Sequence, residues 1–161
     1  MKLQNILFRY RLSLGFFILG LIVSGITAFP LRWELSILSN LIGISDPSDY
    51  TDMHGVQRWI AFVSFGLRGT YARFPFFGYA TDWLAFAHLV IAAFFVGPLI
   101  APKQNAWVLR VGLAACAGII VLALICGPIR GIPFFWTLID CSFGVIGAVP
   151  LLYCLHLTKR M

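Results

Sequence analysis

"WVLRVGLAACAGIIVLALICG", residues 107 to 127, carries a single charge, Arg110, in an otherwise apolar run. Its length matches the roughly 20 residues that a helix needs to cross a bilayer core. Arg110 stands near the start, where its long stem lets the guanidinium reach the water boundary. Three other stretches share this character: "LSLGFFILGLIVSGITAF" (12–29, stopped by Pro30), "WLAFAHLVIAAFFVGPLI" (83–100) and "IPFFWTLIDCSFGVIGAVPLLYCL" (132–155). The fold expected is all-α, a four-helix transmembrane bundle forming one integral membrane domain over residues 1–161. The first stretch also has the outline of a signal peptide, with "ITA" before a cleavage point, and is read as a retained anchor.

The rest of the chain agrees. It is 60% hydrophobic and 11% charged, with a mean hydropathy of +0.91. A soluble domain carries about 25% charged residues, so this one could not cover its surface in water. The isoelectric point near 9.5 invites a nucleic-acid partner. The cations are instead dispersed at the ends of apolar segments, which is the membrane pattern, so no nucleic acid is expected. The four cysteines (Cys116, Cys126, Cys141, Cys154) fall in apolar stretches without a CxxC pair. Buried free thiols are expected there, and four-helix thiol oxidoreductases are excluded.

Charge placement orients the chain. With the N-terminus inside, Lys2, Arg9, Arg11, Lys103, Arg110, Lys159 and Arg160 fall on the cytoplasmic side. All six acids, Glu34, Asp46, Asp49, Asp52, Asp82 and Asp140, fall outside or in the outer half of a helix. That is the positive-inside arrangement. The expected location is a bacterial inner (cytoplasmic) membrane with both termini cytoplasmic.

Residues 30–82 then form an extracytoplasmic loop between helices 1 and 2. A connection this long carries structure of its own, and it is expected to be partly helical. Its centre, "MHGVQRWIAFVSFGLRG", has only nine residues between Arg58 and Arg68. That is too short to cross, so an interfacial or re-entrant helix is expected, with a fifth span as the alternative. Small residues recur in the spans: Gly20 with Ser24, Ala114 with Gly118, Gly144 with Gly147. They allow close helix packing where hydrophobic burial supplies no drive.

The polar residues at depth carry the functional reading. His88 lies six positions after Asp82, roughly 9 Å along a helix; Asp140 lies seven after Pro133, roughly 10 Å. Both are expected in one layer, with Asp82 and Arg130 above. A charge there costs at least about 2.5 kcal/mol on insertion scales, so Asp140 needs a partner, a proton or water. The outer loop adds His54 and Arg58, four apart, then Arg68, Tyr71 and Arg73, and the aromatic run "FPFFGYATDW". The arginine fork suits phosphate or carboxylate; the alternative is pairing with Asp46, Asp49 and Asp52.

The site expected is therefore His88 and Asp140 as catalytic proton-transfer groups. Arg130, Asp82, His54, Arg58, Arg68, Tyr71 and Arg73 bind the ligand. No HExxH motif marks a metal site. Haem on His54 and His88 is disfavoured by the histidine count, which also excludes four-helix b-type cytochromes. No metal is expected, and the sequence names no cofactor. The function expected is binding or transformation of a lipid, isoprenoid or small anionic ligand at a site open to the outer leaflet. The alternative is a non-enzymatic subunit or scaffold whose buried pair is structural and whose loop docks a partner. Expected partners are membrane lipids, a lipid-like or anionic small molecule, and further copies of the chain or another membrane protein.

Overall fold

The computed structural model describes residues 2–161, without the side chain of Lys2. Met1, included in the expected domain, and the charge of Lys2, counted among the inside cations, thus lie outside the described residues. Every regular element described is helical: α1 (Lys2–Ala28), α2 (Leu31–Leu41), a 3₁₀ turn (Pro47–Asp49), α3 (Gly55–Arg73), α4 (Phe77–Phe94), α5 (Val96–Ile100), α6 (Ala106–Ile129) and α7 (Phe134–Thr158).

Four segments are long and apolar enough to cross a membrane: Leu3–Ala28, Phe77–Ile100, Ala106–Ile129 and Phe134–Thr158. Their surfaces fit that role. Phe16 (70% exposed), Leu122 (62%) and Phe143 (63%) point outward from three of them, where water would make such a surface costly and lipid does not. α3 is not among the four. The second span starts at Phe77, six residues before the expected position, because the backbone turns at Pro75. The amides of Gly78 and Tyr79 donate to the carbonyls of Pro75 and Phe76, each at 3.1 Å. The aromatic run thus begins the helix.

Contacts divide the chain into two compact units, one of residues up to Leu21 with Val90–Met161, the other Ile22–Leu89. In the first, α6 and α7 pair along their length. They approach so closely at Gly144 that a β-carbon there would meet the Cys116 carbonyl oxygen at 2.5 Å. The core of this unit gathers Tyr10, Leu14, Phe95, Leu109, Leu151 and Cys154. Pro98 explains the break between α4 and α5: its ring clashes with the carbonyl four residues back, at Phe94, where α4 ends. Side chains bond the carbonyls in and just after α5. Tyr10 donates its hydroxyl to the Pro98 carbonyl at 3.1 Å, and Asn105 donates to those of Gly97 and Ala101, both at 3.2 Å.

The α6–α7 turn is set by Gly131, at φ +69°. Its amide donates to the Pro128 carbonyl (3.2 Å) and that of Ile132 to the Gly127 carbonyl (2.9 Å). This is the double-bonded C-terminal closure that favours glycine. Gly131→Ala is expected to lower stability by about 1 kcal/mol, read as a lower unfolding midpoint in detergent micelles.

In the second unit α2 ends in the same way. Gly43 has φ +78°, and Ile44 returns its amide to the Ser39 carbonyl at 2.8 Å while its side chain is buried. α2 packs on α3 through buried Ser39 and Ser64, whose hydroxyls lie 3.3 Å apart. Gln57 of α3 donates to the Ile42 carbonyl at 2.8 Å, and Tyr50 sets its ring 5.4 Å from Phe62. Segment 30–82 is thus built largely of helix rather than open loop.

Candidate functional site

Two proline junctions shape a cleft in the second unit. At the first, α1 ends at Ala28 and Pro30 opens α2, its carbonyl accepting from the amides of Trp33 (2.8 Å) and Glu34 (3.0 Å). Glu34 lies in the first turn, where a carboxylate complements the helix dipole. At the second, α3 ends at Arg73 and Pro75 turns the chain into α4. Together the junctions enclose about 530 Å³, lined by Arg32, Trp33, Tyr71, Tyr79, Thr81 and Asp82 among others. The cleft wall is apolar and aromatic, with a few polar groups.

Hydrogen bonding fixes what the cleft offers. The Thr81 hydroxyl donates its one proton to the Gly78 carbonyl at 2.7 Å. Its oxygen lies 3.4 Å from the Tyr71 hydroxyl, so Tyr71 is the donor between them. The Tyr71 oxygen therefore keeps its lone pairs for a ligand. Asp82 is a second acceptor, and Arg32 supplies donors.

Arg32 also lines a second, smaller slot between α2 and α3, about 10 Å³, with Ser36, Ser64 and Arg68. Among the described residues no ion pair joins Arg58, Arg68 or Arg73 to Asp46, Asp49 or Asp52. Asp46 is instead held by Ser48. The Ser48 amide donates to it at 2.9 Å, and with the Ser48 side chain and the more distant charge of Arg68 this keeps its carboxyl below the usual range.

Of the sequence-predicted residues, Tyr71 and Asp82 meet in the cleft, and Arg68 lies in the adjoining slot. His54 does not share a helical face with Arg58: it stands before α3 in extended conformation (φ −129°, ψ 154°). Arg73 lies over the Phe74 ring, 5.7 Å from its centre.

His88 on α4 places Nδ1 2.8 Å from the Leu84 carbonyl. A carbonyl only accepts, so Nδ1 carries hydrogen and Nε2 is left open. The His88 β-carbon packs against Gly25 of α1. Asp140 lies on α7 and Arg130 closes α6, both in the first unit, and they form no ion pair with each other. Counted from the helix starts, His88 is eleven positions after Phe77 and Asp140 six after Phe134. The near-equal counts expected earlier, six and seven, came from starting the second span near Asp82.

Arg32 and Trp33 were missed. Their signal was present, an arginine and a tryptophan just past a span's proline, in the pattern of a membrane interface. Among the described residues no three histidine, cysteine or acidic side chains gather as metal ligands; all four cysteines are free thiols, but only Cys116 and Cys154 are buried, Cys141 being half-buried and Cys126 exposed on the outward face of its helix. Comparison with protein-family models, with curated proteins and with solved structures finds no match.

Proposed function

We propose that this chain is a small polytopic membrane protein that holds an amphipathic, lipid-like or isoprenoid ligand, or a small anion, in the Arg32–Asp82 cleft. The observation that carries the reading is the cleft itself, which combines an aromatic wall with one cation and two acceptors. Its setting supports an amphiphile. Trp83, Tyr79 and Phe76 are exposed around the start of α4, and tryptophan and tyrosine concentrate at the headgroup layer. A ligand entering there keeps its polar end among the charges and its chain in hydrocarbon. His88, with Nε2 open, and Asp140 are the proton-transfer candidates, each on its own helix.

The test uses protein stripped of lipid and then offered total membrane lipid in micelles. A ligand that binds only the folded state raises the unfolding midpoint. Wild type is expected to gain several degrees. Gly78→Phe, which fills the cleft beside the Tyr71 ring, is expected to gain much less. Equal gains in the two proteins would count against the cleft.

The orientation is also a proposal, supported by the lysines and acids: segment 30–82 faces outward and both termini face the cytoplasm. Cysteine placed at Ser48, in a background without the native cysteines, is expected to react with a membrane-impermeant maleimide in intact cells. Protection of position 48 with labelling of a cysteine at Gln104 would reverse the topology.

A further inference from the structure

We propose that Arg32 and Arg68 together grip the phosphate of a phosphoester headgroup whose hydroxyl or ammonium end reaches Asp82 and Tyr71. The inference rests on the cleft reading above and assigns the chemistry of its occupant.

Arg32 is common to the two hollows of the second unit. On one side it faces the large cleft; on the other it lines the slot with Arg68, Ser36 and Ser64. One arginine comes from α2 and the other from α3, and no acidic residue lines the slot. Neither arginine is ion-paired among the described residues. Asp46, outside the slot, feels the charge of Arg68 only as a minor influence, and the planar forks of two arginines lining one slot match phosphate oxygens.

The slot has room for about one water-sized group, enough for a phosphate oxygen and too little for a chain. The two hollows share Arg32, and the remainder of the ligand is assigned to the large cleft. There the polarity reverses. Asp82 repels a phosphate, and with the Tyr71 hydroxyl proton committed to Thr81 both groups act as acceptors. They call for a donor on the ligand. An anion at one end and a hydroxyl or ammonium at the other describes a phosphoethanolamine- or phosphoglycerol-type headgroup. A lipid and its soluble headgroup share that chemistry.

The experiment is calorimetric titration of the full chain in micelles with dihexanoyl phosphatidylethanolamine, phosphoethanolamine and uncharged dihexanoylglycerol. Arg32→Gln and Arg68→Gln are each expected to weaken phosphoester binding about ten- to hundredfold, the range for a charge-assisted hydrogen bond. Both should leave dihexanoylglycerol unaffected. Arg32→Lys, which keeps the charge without the fork, should lose less than Arg32→Gln. Arg32 and Arg68 are both exposed, so an unchanged unfolding midpoint certifies the fold. Tighter binding of the phospholipid than of phosphoethanolamine supports the proposal with a lipid as source. Equal binding supports it with the soluble ester. Phosphoester affinity unchanged in both Gln variants overturns it, even if dihexanoylglycerol still binds and is blocked by Gly78→Phe, which would leave the cleft reading intact. No binding of any of the three compounds to wild type overturns both.

Discussion

Gly144→Ala is expected to cost about 3 kcal/mol, at the top of the usual overpacking range, and Gly144→Val is expected to prevent stable folding. The β-carbon of alanine alone would lie 2.5 Å from the Cys116 carbonyl oxygen. That oxygen belongs to helix backbone and cannot rotate aside, so α6 and α7 must part. Their separation would loosen the contacts on which the first unit is built, because association of helices in lipid depends on close packing. Gly118, on the facing helix α6, is the control: a β-carbon there meets nothing within 4 Å. Gly118→Ala is therefore expected to change stability by less than about 0.5 kcal/mol. Unfolding in micelles followed by circular dichroism measures both. Equal effects at the two glycines would refute the close approach.

Asp140→Leu is expected to raise stability, by up to about 2.5 kcal/mol, the insertion cost of a carboxylate at a helix centre. Within its own unit no described residue hydrogen-bonds or ion-pairs with the side chain, and its neighbours Leu138, Ile139 and Phe143 are exposed apolar groups. The same unfolding assay decides the matter. A loss of stability would show that the carboxyl is part of the helix packing, and would favour the scaffold reading over a proton-transfer role.

The four spans were legible in sequence because each is a long apolar run, and length with hydropathy is all that crossing requires. The ends were less so. Apolarity does not show where a helix starts in an aromatic segment such as "FPFFGYATDW", and Pro75 moved the second span to Phe77. The small residues were recognised as packing positions, yet composition could not say which ones pack. Gly144 meets a backbone carbonyl, while Gly20 and Gly118 have open space.

The polar residues divide in the same manner. Tyr71 and Asp82 were chosen for their chemistry and do share a cleft. Arg32 was passed over because it stands next to a span, and only the paired junctions at Pro30 and Pro75 put it at the wall of a cleft. Which way the Tyr71 hydroxyl donates depends on a third group, Thr81, and no spacing rule contains that information.

The measurement that bears most directly on the cleft is native mass spectrometry of wild type and Gly78→Phe, purified side by side in mild detergent. The account predicts a retained compound of defined mass on wild type, absent or strongly reduced on the variant at equal recovery of folded protein. The same compound retained equally by both proteins, or no compound on wild type, would contradict it.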